Sequence, residues 1–196
     1  MPELDAAAAE QVITATRHEQ IIAATRQWLE KAVIGLNLCP FAAAVYLRDR
    51  VRFVVSDQQT TEGLLRELCT ELQTLQQADP LVCETTLLIH PRVLTDFGLY
   101  NDFLDEADLA IDDLDLVGEL QIASFHPDYQ FADCDVTDMQ NYSNRSPYPM
   151  LHLLRESSVS LAIDNHADID NIPANNMRTL HELGLEGWQK LWRVAD

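Results

Sequence analysis

Three short blocks hold most of the side chains in this chain that could do chemistry. A thiol stands in Leu38-Cys39-Pro40-Phe41, an imidazole and a carboxylate two apart in His126-Pro127-Asp128, and a guanidinium in Asn144-Arg145-Ser146-Pro147-Tyr148. Imidazole and carboxylate at that spacing suit proton transfer or metal ligation. A guanidinium suits a planar anion, which it grips through two parallel N–H groups. Read together, His126 is a candidate general acid or base, Asp128 the group that sets its tautomer, and Cys39 a ligand or nucleophile. Asn144, Arg145, Ser146 and Tyr148 are candidates for orienting a substrate. Each has a plainer alternative. Cys39 follows a helix C-terminus, whose partial negative charge disfavours a thiolate, and cysteines are often simply buried.

Charge sharpens the reading of Arg145. The 196 residues carry 13 Lys+Arg and 32 Asp+Glu, a formal net charge of −19. From Val93 to Asn144 there are 13 acids and no Lys or Arg, and Arg145 ends that stretch. A cation there is expected either to pair with an internal carboxylate or to hold a ligand's anionic group. The same acidity argues against nucleic acid and anionic membranes as partners, since phosphates are bound by clustered Lys and Arg. It leaves a small-molecule ligand as the expected partner, with no cofactor assigned.

A metal centre is the rival chemistry, built from His126, Asp128 and Cys39, with His90, Asp133, Cys134, Asp135 and Asp138 as further donors. The spacing gives it little support: there is no H-E-x-x-H, H-x-H or C-x-x-C, and D-C-D-V-T-D lacks the glycine and terminal glutamate of a calcium loop. Hydrolase and nucleotide signatures are absent, and six glycines leave little material for a phosphate-cradling loop.

The elements that must position these residues follow from periodicity. Apolar residues at helical spacing predict helices over 6–36, 60–77 and 97–114, with fraying expected over residues 1–10. Val51–Ser56, Cys83–His90 and Gly118–Phe125 read as strands. Pro147–Ser157 reads as a short helix with Ser146 as N-cap, placing His152, Arg155 and Glu156 on one face beside Arg145, where His152 and Arg155 join the candidate substrate ligands. Ser158–Ile163 then reads as a fourth strand, and Asn175–Leu183 as a last helix stopped by Gly184. Helices alternating with about four strands predict an α+β domain, taken as single over 1–196, with a ferredoxin-like plan carrying an inserted helix. The alternative is a small doubly wound parallel sheet. In the ferredoxin-like plan His90 and His126 fall at opposite sheet ends.

Residues 126–149 have no helical or strand period. Unstructured loops beyond about 12–15 residues are uncommon inside compact domains and are usually functional or disordered. Tyr129, Phe131, Met139, Tyr142 and Tyr148 supply anchors, so an ordered loop over a pocket is expected.

The blocks Asn37-Leu-Cys-Pro-Phe41, Ala123-Ser-Phe-His-Pro-Asp-Tyr-Gln-Phe131 and Asn144-Arg-Ser-Pro-Tyr-Pro149, with Leu151-His-Leu-Leu-Arg-Glu156 after them, carry a resemblance. Over roughly Thr25 to Leu183 the chain resembles the bacterial family catalogued as domain of unknown function 1415. The resemblance implies no established activity.

Three functions therefore compete: an enzyme acting on a small polar or anionic metabolite, a metal-binding protein, and an acidic adaptor whose helix near Asp96–Asp115 docks a basic partner. Four cysteines without C-x-x-C spacing, a start at Met1-Pro-Glu-Leu-Asp unlike a signal peptide and no 18-residue apolar run lead to the expectation of a cytoplasmic protein with free thiols.

Overall fold

A computed structural model of the chain describes residues 3–164 and 171–192. Its first helix, α1 (Glu3–Trp28), runs straight into a π-helical turn over Leu29–Ile34. The alanine-rich start from Glu3 onward is thus helical, while residues 1 and 2 lie outside the described residues. Asn37, at φ 54°, ends this run in the left-handed conformation that Asn tolerates well. A short α2 (Ala42–Leu47) leads to β1 (Val51–Val55). Then come α3 (Thr61–Gln77), β2 (Thr85–Ile89), α4 (Phe97–Asp113) and β3 (Leu120–Phe125). Thr60 and Asp96 cap α3 and α4 by accepting the N–H of Gly63 and Leu99, as short side-chain oxygens do at N-caps.

The predicted helix over 147–157 and strand over 158–163 exchange identities. Met150–Arg155 is β4, and Glu156–Asp164 is α5. Pro147 and Pro149 precede a strand, so Ser146 caps no helix; its hydroxyl donates to the Tyr148 carbonyl instead. A long α6 (Ile172–Lys190) closes the described chain, broken at Gly184 where φ is 62°, as expected for a glycine stop.

The sheet order is β1-β2-β4-β3. β1 and β2 are parallel, and β4 lies antiparallel between β2 and β3. The α+β class stands, but the strand order is not ferredoxin-like, nor is the sheet wholly parallel. The physical reason is β4: buried on both faces, it fills the slot between two strands that run the same way.

Alternation along the strands feeds two cores. Leu88, Leu151, Leu153 and Leu120 pack with α3 and α4, while Leu87, Ile89 and Met150 pack with α1 and α6 through Trp28, Leu29, Leu180 and Trp188. The functional consequence is directional. β1, β2 and β3 all point the same way, so Ser56, His90 and His126, each the residue after a strand, stand at one edge. All three are buried.

Candidate functional site at the carboxyl edge of the sheet

In open α/β sheets, the carboxyl ends of parallel strands are where ligands tend to bind. Here that edge carries His90 and His126 together, correcting the expectation that they lie apart. Their rings flank Tyr100 of α4, at centroid distances of 5.8 and 5.1 Å. Both rings grip the turn between β2 and α4: His90 Nδ1–H donates to the Val93 carbonyl at 2.9 Å, and His126 Nε2–H to the Leu94 carbonyl at 3.2 Å. Leu94 holds φ 56°, a conformation strained for a bulky residue.

The tautomers follow from these bonds. His126 Nδ1 accepts the Asp128 backbone N–H at 3.0 Å, while the Asp128 carboxylate faces solvent. Both His126 nitrogens are thereby engaged. His90 is different: with Nδ1 donating, its Nε2 carries a lone pair, fully buried and without a partner. Burial lowers the pKa of both imidazoles, that of His90 to about 4. Both are neutral at pH 7. Arg92 and Asp57 flank this edge with side chains 3.8 Å apart, and His18 Nε2 lies 3.1 Å from Asp57, within ion-pair distance though outside hydrogen-bond geometry.

The loop between β3 and β4 is closed at its base by main-chain bonds: His126 N–H to Asn144 O, and Ser146 N–H to His126 O. Within it a 3₁₀ turn spans Met139–Ser143. Buried Asn141 holds the two limbs together, accepting the Phe131 N–H and donating to the Asp135 carbonyl. Tyr129 packs on Phe97 of α4, Tyr142 on Trp188 of α6, and Asp138 lies 3.3 Å from His181 of α6. Asp135 and Asp138 make local turns, accepting the N–H of Thr137 and Gln140. Among the described residues no three His, Cys, Asp or Glu side chains are placed to share a metal ion.

Arg145 is held by backbone carbonyls and not by a carboxylate. Its Nε and Nη2 donate to the Tyr129 and Val136 carbonyls at 3.2 and 2.8 Å, and its guanidinium lies 4.3 Å from the Tyr142 ring centroid. Trp28 Nε1–H reaches its carbonyl at 2.9 Å. The one cation in an acidic stretch therefore clasps the loop to itself. We expect Arg145→Met to lose two hydrogen bonds and a cation–π contact, together worth about 2–3 kcal/mol. Amide exchange across residues 129–142 should quicken roughly 30- to 100-fold, with little change in the sheet, as read by hydrogen-exchange mass spectrometry.

The other candidates spread out. Asn144 donates to the Ser124 carbonyl and accepts from Ser143. Cys39 and Tyr148 pack on the cluster formed by α1 and α6. His152 and Arg155 are on a strand and not on one helical face, so three residues apart they point to opposite sides of the sheet. His152 Nε2–H donates to Thr85 Oγ1 at 2.7 Å, and that hydroxyl donates to the Leu153 carbonyl. Arg155 is five residues along β4 from Met150, about 17 Å at a strand's rise, so it does not join Arg145. Two residues of the edge escaped the sequence reading, Tyr100 and Arg92. Tyr100 falls in the apolar stripe of its helix, where nothing marks it as more than core.

A sequence model of the family described as "Protein of unknown function (DUF1415)" matches residues 20–190, and the chain belongs to that family. No curated protein and no solved structure matches it.

Proposed function

We propose that this member of the DUF1415 family is an enzyme acting on a small polar or anionic metabolite at the carboxyl edge of its sheet, beside the base of the 126–149 loop. The observation that carries the reading is the unpartnered lone pair of His90 Nε2. An unmade hydrogen bond on a buried polar atom costs about 1–3 kcal/mol, and such atoms in folded proteins call for an explanation, a catalytic role among them. A neutral imidazole held by Val93 is suited to accept a proton or hydrogen bond from a substrate hydroxyl or N–H. Arg92, beside it in sequence, supplies a cation for an anionic group. His126 and Asp128 act as positioning residues that hold the strained turn at Leu94. Asn144, Arg145 and Ser146 keep the loop base closed over that edge.

The test uses His90→Asn, whose amide can keep the donor to Val93 while the Nε2 lone pair is gone. Thermal shift of the full chain against a panel of small polar and anionic metabolites should give a compound that raises the wild-type Tm by about 3 °C or more, as ligand linkage requires. The folded variant should not respond, and NMR should show the compound converted by wild type alone. Equal responses from the two proteins, or no responding compound, would refute the reading.

The acidic adaptor has one observation in its favour. Leu99 and Leu109 of α4 are each 61% exposed amid Asp102, Glu106 and Asp113. That reading requires salt-sensitive capture of a basic peptide, weakened when these acids are neutralised.

A further inference from the structure

At the opposite edge of the sheet, where β3 begins and β4 ends, a cavity of about 190 Å³ is lined by Gln76, Gly118, Glu119, Leu120, Arg155 and Ser157. Two opposite charges, Arg155 and Glu119, are among its lining residues. Arg155 is fixed from behind: its Nη2 donates to the carbonyls of Leu75, Ala78 and Cys83, around the C-terminus of α3. Its Nε has no partner, so the cation is anchored through one nitrogen only. Glu119 is exposed, and its carboxylate accepts the Gln76 amide at 3.1 Å. Ser157 belongs to the first turn of α5, where backbone N–H groups lack acceptors within the helix and favour an anion. The Glu156 N–H is already bound to the Glu119 carbonyl, which ties the helix start to this wall.

We propose that this cavity binds a small zwitterion of the α-amino-acid type, with its carboxylate toward Arg155 and the start of α5 and its ammonium toward Glu119. The pairing of charges selects the class. A simple anion would meet the Glu119 carboxylate, and a simple cation would meet the Arg155 guanidinium, whereas a zwitterion satisfies both. A volume of about 190 Å³ suits a small molecule of this kind. Gly118, at φ 80° in the turn before β3, shapes the wall without a side chain to fill it. This site does not depend on the activity proposed above, since the length of β4 separates the two edges.

The experiment is a titration of the ¹⁵N-labelled full chain with L-alanine, with acetate and methylammonium as separate probes. L-alanine should produce saturable shifts at the amides of Gly118, Glu119 and Ser157, and each half-probe should bind at least about tenfold more weakly, about 1.4 kcal/mol. Glu119→Gln changes an exposed side chain, leaves the fold intact and should weaken L-alanine by about tenfold or more. Arg155→Lys should do likewise where its spectrum shows a folded chain. The proposal is overturned by an absence of saturable shifts, by acetate binding as well as L-alanine, or by unchanged binding to Glu119→Gln.

Discussion

Tyr100→Phe should lower the unfolding free energy by about 2–4 kcal/mol although it removes a single oxygen atom. The phenol sits fully buried between two strands' ends, donating to the Met150 carbonyl at 2.9 Å and accepting the Phe125 N–H at 3.0 Å. Met150 and Phe125 pair across β4 and β3, so the hydroxyl continues the ladder where the two strands reach the loop. Its loss strands a donor and an acceptor in the core, each costing about 1–3 kcal/mol, while the ring and its stacking on His90 and Phe97 remain. Burial also raises the pKa of the phenol, so it stays protonated across the working range and the bond to Met150 has no alkaline switch below that point. Urea unfolding of the two proteins measures the difference. A loss below about 1 kcal/mol would mean that water replaces the oxygen.

The second large effect is a loss of stability in mild acid attributable to His90. Its imidazole titrates near 6.5 when unfolded and at about 4 when folded, lowered chiefly by burial. A folded-state pKa below the unfolded one means that the unfolded chain binds the proton first. Stability from this group is therefore complete above pH 6.5, declines as pH falls from 6.5 to about 4, and is constant again below. At about 1.4 kcal/mol per unit the total is about 3 kcal/mol. His152, hydrogen-bonded to Thr85 and likewise lowered to about 4 by burial, and His126 act in the same direction. Relief of repulsion in a chain of net charge −19 acts the other way, so the raw acid profile mixes two signs. The comparison with His90→Asn removes that mixture. Between pH 7 and 4.5 the stability of wild type relative to the variant should fall by about 2–3 kcal/mol, measured by urea unfolding at both pH values. A difference that does not change with pH would show that His90 takes up its proton while folded.

Local signals made much of the scaffold legible. Leu64, Leu68, Leu72 and Leu75 mark one face of α3, and Gly184 marks a break. The errors gather where a strand is buried on both sides. Met-Leu-His-Leu-Leu-Arg over 150–155 has no polar alternation to betray a period of two, because β4 has helices over both faces and strands on both flanks. Ser158-Val-Ser-Leu-Ala-Ile163, by contrast, alternates like a strand yet is helical. Mistaking these two segments placed His152 and Arg155 beside Arg145, and it hid the parallel run of β2 and β3 that brings His90 to His126. The charge pattern singled out Arg145, but charge counting cannot see backbone carbonyls, and two of those accept its hydrogen bonds. The blocks around Cys39, His126 and Arg145 were found as sequence; their division between a buried edge, a loop clasp and an apolar cluster depends on contacts between residues far apart in the chain.

The place of β4 sets an order of events during synthesis. β2 and β3 cannot pair with one another, and the strand that joins them is the last of the four to be made. A nascent chain complete only to residue 149 can assemble β1, α3 and β2 as one unit, but β3 has no neighbour and β2 keeps an open edge of Thr85, Thr86, Leu87, Leu88 and Ile89. At about 5–20 residues per second, that state lasts seconds. Exposed apolar strand edges are templates for pairing with other chains. The emergence of six residues, Met150–Arg155, turns two separate pieces into one sheet, and the same step seats Tyr100 between β3 and β4 and closes the loop base at His126.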